Sequence, residues 1–462
     1  MNLLTLQSLN SDDRAVVDVM IARMQAVAGP NREAEDRYSG EWAARQFGIS
    51  IPPSMQNLKT VAGWCGTVVD VLEERLDWLG WMTSDGDDTF GLDAVYDSNE
   101  LDVDSGMAHL DSLIFGLSFV ALGSGVDGEP SPLITPQSPL TFTGDWSRRQ
   151  RRLTSAVSGT FKDGSVTGAT LYLPGETVTV EASGSGWVVT GRDVHGLGRL
   201  PVVLVPNRVR GSRQVGRSEI TKAVRYYSDA AARTLLGLEV NREFYNAPQR
   251  IGLNVDDKSF EDANGNPVSP WTSIMGRVWN IPPNEDGMAT PDVKQFPPSS
   301  PAPYIDQVKG YATLLAAEAG IPPTYLGFQT DNPASADAIR AGEARLVKRA
   351  ERRQASFGRA WREVGRLALL IRDGAIPDDY DSVVSVRWRD ASTPTRAAAA
   401  DEASKLIGSG VLPPDSTVTY DRVGLSPAEQ TKVSADKRRT AGRDVIAALR
   451  PQANDNAATV AG

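Results

Sequence analysis

One stretch constrains this chain more than any other. From Ile339 to Ile371 apolar residues return every three or four positions, at Leu346, Ala350, Phe357, Trp361, Val364 and Ala368. That spacing keeps one side of an α-helix apolar, so about nine uninterrupted turns are predicted. Asn332-Pro333 and Ser335 supply an N-cap and a first-turn proline, and Gly374 supplies the stop. Between Arg340 and Arg372 the helix carries ten Lys or Arg against three Glu, so its polar face is basic. Composition alone reads that face as exposed and ion-paired.

Upstream, Gly320-Ile-Pro-Pro323 closes another helix over about 302–319, because two prolines cannot continue it. A further helix is predicted from Ser218 to Tyr245, with Pro248 ending it. The proline-rich stretch 249–301 between them has short apolar runs and an Asn264-Gly-Asn-Pro267 turn, and reads as a small β-rich insertion. From Val120 to Val205 the period changes. Thr, Val and Tyr dominate, and Ser155–Phe161, Thr170–Leu173, Thr177–Glu181 and Trp187–Thr190 are expected as short antiparallel strands.

The first third reads as helices. Val16, Val17, Met20, Ile21, Met24 and Val27 form an amphipathic stripe expected to end near Gly29-Pro30. A second helix is expected over 57–81, and Asp97-Ser-Asn-Glu100 is expected to start a third as a capping box. After the long helix come a strand at Val383–Trp388 and helices near 394–407 and 426–449, the latter opened by Ser426-Pro-Ala-Glu429. The small, polar tail after Arg450 is expected to be disordered. The fold class is α+β.

Several chemistries lack their residues. No Gly-x-x-x-x-Gly-Lys-Ser/Thr phosphate cradle occurs, so a P-loop motor is excluded, and Ser183-Gly-Ser-Gly186 lacks dinucleotide spacing. The two histidines and single cysteine leave almost nothing for a Cys/His zinc site or a hydrolase triad. His109 is expected in a core, His195 in a loop, and Cys65 as a buried structural thiol. The acids from Asp85 to Asp104 do not follow an EF-hand loop and read as a solvated surface. No metal or cofactor is expected, and no enzyme activity. Leu110–Leu122 is too short to span a bilayer, and Met1–Leu9 is too short for a secretory signal. A net charge of −10 rules out an overall positive field toward nucleic acid.

The order of these parts resembles the portal proteins of tailed bacteriophages with a Gp6-type fold. Asp36-Arg-Tyr-Ser-Gly-Glu41 looks like their Tyr-x-Gly element. Asp111-Ser-Leu-Ile-Phe-Gly-Leu-Ser-Phe-Val-Ala-Leu122, with Ser138-Pro139, is similar to their helix, glycine and hydrophobic-strand passage. Gly320-Ile-Pro-Pro-Thr-Tyr-Leu-Gly327 followed by Asn332-Pro-Ala-Ser-Ala-Asp-Ala-Ile339 and Glu343 resembles the passage from stem helix through tunnel loop into the long helix.

The resemblance implies a mixed α/β wing over 1–215, stem helices over 216–248 and 302–320, and a clip over 249–301. A tunnel-loop region over 321–335, a long wing helix and returning strand over 336–393, and a short helical crown over 394–450 complete it. Phe328, Gln329, Thr330, Asp331 and Asn332 then form the tunnel loop. Arg349, Arg352 and Arg353 are expected to face a neighbouring subunit. The implied assembly is a homododecamer at the portal vertex of a capsid, put together in the bacterial host cytoplasm. Its implied partners are double-stranded DNA in transit, terminase, major capsid and scaffold proteins, and a head-tail adaptor, with no membrane. Two other readings stay open: a structural head or adaptor protein without a channel, and a metal-dependent enzyme using Asp85 and Asp87.

Overall fold

The computed structural model describes residues 9–45, 57–84, 89–184, 186–246, 250–254, 266–267, 292–295, 297, 300–328, 335–392 and 396–449. They fall into two compact units, residues 1–387 and 388–462.

The first unit opens with helix α1 (Ser11–Tyr38), capped by Asn10, whose side chain accepts from the Asp13 amide. Its apolar stripe of Val17, Met20, Ile21 and Met24 is buried against Val157, Leu171, Val178 and Val180 of a five-stranded antiparallel meander. That sheet runs in sequence order through β4 (Phe142–Ser147), β5 (Arg152–Lys162), β6 (Ser165–Tyr172), β7 (Thr177–Ser183) and β8 (Gly186–Asp193). A second core, with Phe119, Phe142, Leu153, Ala156 and Leu204, joins it to a three-stranded sheet. There β2 (Leu117–Gly123) lies between β3 (Leu133–Gln137) and β9 (Val202–Pro206). The predicted strands are all present, because alternating Val and Thr bounded by Asp-Gly and Ser-Gly turns suit hairpins.

Three expectations for the first third are corrected. Helix α1 does not end at Pro30 but continues to Tyr38, where Ala34 and Arg37 are buried. That burial offsets the hydrogen bond lost at the proline. The predicted helix over 57–81 is only α2 (Trp64–Glu73); Trp78 to Thr83 is a strand, β1, paired with β12 (Val384–Trp388). Nor does Asp97 cap a helix. It lies inside α3 (Leu92–Ser98), and α4 (Leu101–Phe115) starts after Glu100 with no side-chain cap. Asn99 fixes this junction: its amide nitrogen donates to the Val95 and Pro132 carbonyls, and its oxygen accepts from the Ile134 amide.

Helix α5 (Lys222–Asn246) packs against α6 (Ala302–Ala319), and β10 (Arg250–Leu253) pairs antiparallel with β11 (Asp292–Gln295) between them in sequence. The predicted ends of α6 agree with the structure, and Gly320 (φ 69°) takes the left-handed C-cap conformation that favours glycine. One 3₁₀ turn, Pro323–Leu326, leads toward α7 (Ala336–Asp373), the long helix. Ser335 accepts from the Ala338 amide as its N-cap, and Gly374 ends it.

The second unit contains α8 (Arg396–Gly408), α9 (Thr417–Val423) and α10 (Pro427–Leu449). α9 was not legible in the sequence, but the capping box opening α10 was. The Ser426 amide donates to Glu429 at 2.8 Å, and the Glu429 amide donates back to the Ser426 hydroxyl. Among the described residues, no helix is long and apolar enough to cross a membrane.

Candidate functional site: the frame around residues 328–335

The segment read as a tunnel loop leaves the turn at Pro323–Leu326 and enters α7 at Ser335. Phe328 is described and half-buried; Gln329, Thr330, Asp331 and Asn332 lie outside the described residues. What the structure defines is the frame on both sides.

On the upstream side, Tyr325 is held by its hydroxyl, which donates to Glu343 of α7 at 2.5 Å and accepts from Arg75 at 3.2 Å. Arg75 also faces Glu343 at 3.4 Å, and its carbonyl accepts from Gln354. The turn, the end of α2 and the first third of α7 are thus joined by one small polar network. Arg345 donates to the Ala317 carbonyl at 2.7 Å, placing a cation at the C-terminus of α6, where the helix dipole favours it. A Cβ at Gly320 would lie 2.9 Å from the Arg345 Nε, so a larger residue there would displace that side chain.

Beneath this frame lies a buried charge cluster. Glu219 is 1% exposed and accepts from Arg353, from Arg349 at 2.6 Å, from Arg208 at 3.4 Å and from the Asn207 amide at 3.1 Å. Burial by itself raises the Glu219 carboxyl; Arg353, Arg349 and Arg208 more than reverse this and hold it below the ordinary carboxylate range. The cluster is placed by a close backbone crossing. The Gly116 carbonyl accepts from the Asn207 amide at 2.9 Å, and a Cβ on Gly216 (φ 92°) would lie 1.9 Å from that same carbonyl oxygen. Glycine is therefore required where the chain leaves β9 for α5.

The three arginines expected to face a neighbouring subunit are divided by the structure. Arg349 and Arg353 point inward to Glu219 of their own chain, whereas Arg352 is exposed. The sequence signalled the basic helix but not its buried acid, since Glu219 is 130 residues away from Arg349. A second tie joins α1 to α5: Arg37 donates to both carboxylate oxygens of Asp229, at 2.9 and 3.1 Å.

Farther along α7 the contacts are aromatic. Trp361 stacks on Trp78 with ring centroids 4.1 Å apart, and the Trp81 indole donates to the Trp361 carbonyl at 2.9 Å. The Trp361 indole donates to His109 Nε2 at 2.8 Å, so His109 is a neutral core histidine. Burial lowers its pKa to about 3. Cys65 is buried and lies 3.5 Å from the Ser228 hydroxyl. Among the described residues no group of three or more His, Cys, Asp or Glu is arranged to hold a metal ion. Asp85 and Asp87 lie outside those residues.

Comparison with known proteins adds to this geometry. The family model described as "Phage portal protein, SPP1 Gp6-like" matches residues 19–419. The portal protein of Mycobacterium phage D29 is 33% identical over 410 residues, covering 87% of this chain and 83% of that protein. The portal protein of Mycobacterium phage L5 is also 33% identical, over 413 residues, covering 86% and 83%. Among solved structures, a chain in the neck of an empty gene transfer agent particle aligns at 14% identity with a TM-score of 0.39, over 84% of this chain and 98% of that one. A chain of the native gene transfer agent virion aligns at 15% identity with a TM-score of 0.40, over 86% and 99%.

Proposed function

Because the chain belongs to the SPP1 Gp6-like family of phage portal proteins, we propose that it forms a dodecameric ring at one vertex of a capsid, through which double-stranded DNA is packaged with terminase and later ejected. The same ring joins the head to the tail through an adaptor protein, and capsid and scaffold proteins surround it. Assembly takes place in the cytoplasm of the bacterial host. The role is that of a conduit, with no turnover of its own.

The observation that carries this reading is the helix pair α5 and α6 and what their ends connect to. One connection runs through the β10–β11 pair, which suits a clip at the mouth of a channel. The other leaves α6 through the Tyr325 turn and enters α7 at Ser335, which suits a tunnel loop held from both sides. α6 exposes Asp306 and Lys309, an acid and a base three residues apart, rather than a cationic strip. A lining of that kind lets DNA slide, whereas each fixed phosphate contact adds affinity that slows a moving strand.

The test is the mass and symmetry of the purified protein, from native mass determination and class averages of negatively stained particles. A ring with a central hole is expected. A compact closed dimer without a hole would overturn the channel and favour a structural head or adaptor role.

A further inference from the structure

The long helix has two sides that meet different things. Gln354 faces the end of α2, donating to the Arg75 carbonyl at 3.1 Å. Arg352 is two residues away, hence about 200° around the helix axis, on the far side. Arg345, Lys348, Arg352 and Arg359 recur at spacings of three, four and seven, so they share that far face. With Arg208 and Val209 the first three line an open groove of about 630 Å³, in which Glu318 is an acid on the rim.

Not all of this charge is spent inside the chain. Arg349 and Arg353 are held by Glu219, and Arg345 caps α6. Among the described residues Lys348 pairs with its helical neighbour Glu351, and its side chain is 66% exposed. Arg352 is exposed and has no partner among the described residues. A concentrated basic face on a chain of net charge −10 leaves the remaining surface still more acidic.

The opposite flank of α7 carries the complement. Glu73 and Glu74 close α2, and Glu73 Oε1 lies against Gly106 of α4, so the two helices form one surface. On α4 the neighbouring Val103 and Met107, four residues apart, are 63% and 50% exposed. Asp102 is exposed next to Val103, and Asp77 is exposed near Glu73. Apolar side chains with a charged rim are the anatomy of a protein–protein contact. Burial first, then Asp77, Asp70 and Glu74, push the Glu73 carboxyl up to about 7, a crowding that incoming cations relieve.

We propose that the basic groove along Arg345, Lys348 and Arg352 receives the acidic flank of a second copy of this chain, formed by Glu74, Asp77 and Asp102 around Val103 and Met107. The two patches lie on opposite sides of one rigid helix. Each copy therefore offers one and receives the other, the head-to-tail contact that closes into a ring. The inference rests on the ring reading above and names the surfaces that would close it.

Two variants test it. Lys348→Glu/Arg352→Glu reverses two cations of the groove, and Glu74→Lys/Asp102→Lys reverses two acids of the flank; all four residues are exposed, and unchanged melting curves confirm the fold. Each variant alone then sets its reversed residues against like charges at every contact and loses the ring. Their equimolar mixture sets the reversed groove against the reversed flank and the native groove against the native flank, and recovers it. Rings from each variant alone, as abundant as from the wild type, overturn the pairing and leave the ring reading intact. A wild-type chain that makes no ring, purified or in particles, removes both. If the groove variant keeps its rings but binds a short DNA duplex more weakly, the groove is a nucleic-acid surface and the proposal falls.

Discussion

The two halves of the long helix α7 are built on different principles. Around Arg345 to Arg353 the helix is fixed by charge: Glu219 gathers Arg349, Arg353 and Arg208, and Tyr325 is shared between Arg75 and Glu343. Around Phe357 to Ala368 it is fixed by dry packing, with Trp361 between Trp78 and His109. Dry packing is insensitive to salt, whereas a buried carboxylate holds its cations only while ionised. The polar half adjoins the segment that would meet the moving DNA in the proposed channel, and the aromatic half anchors the helix to β1 and α4. A firm anchor beside an adjustable junction is the division of labour the helix suggests.

That contrast can be broken or sharpened by substitution. Trp361→Ala should cost the most, ~3–5 kcal/mol as for other buried tryptophans, read from denaturant or thermal melts. A loss below that of the next variant would show that the aromatic half is not the anchor. Glu219→Gln should cost about 3 kcal/mol, because it leaves Arg349 and Arg353 facing a neutral group in a buried site. If it melts like the wild type, the cluster does not hold the junction.

The two halves should also separate by pH. Glu219 has a depressed pKa, so its contribution is complete above the unfolded carboxylate value, near 4.5, and is lost as the pH falls through the folded value. Glu219→Gln should flatten the acid limb in that range. His109 is also depressed, from 6.5 to about 3, so its buried neutral ring favours the fold above pH 6.5 and loses that advantage progressively as the pH falls toward 3. The decline between pH 6.5 and 4.5 should therefore survive in Glu219→Gln. A curve unchanged below pH 4.5 would remove the ionic account. The smallest effect belongs to Arg345→Ala, ~0.3–1 kcal/mol from the lost cation at the end of α6, seen as a melting shift that shrinks with salt. A salt-independent shift would assign Arg345 a packing role instead.

Much of this molecule is legible in its sequence. The ends of α6, the N-cap of α7 at Ser335, the strands β5 to β8 of the meander and the Ser426–Glu429 capping box all follow from local signals: a periodicity, a proline, a left-handed glycine, a turn dipeptide. The family resemblance rested on the order of such parts, and the match over residues 19–419 agrees with it. The tunnel-loop residues from Gln329 to Asn332 stand as a reading of sequence alone, since only the frame around them is described.

What the sequence could not determine depends on partners distant along the chain. Trp78 to Thr83 has the composition of a helix continuing from α2, yet it is a strand because β12, some 300 residues later, supplies its hydrogen bonds and Trp361 its stacking surface. Pro30 looked like an end, but burial of Ala34 and the Arg37–Asp229 pair carry α1 past it. Arg349 and Arg353 read as a basic outer face until Glu219 drew them inward and left Arg352 outside. Local sequence determines where helices and hairpins begin and end, because caps and turns are short-range. Which side of each element is buried, and which charges are neutralised, is decided only when the folded chain brings distant residues together.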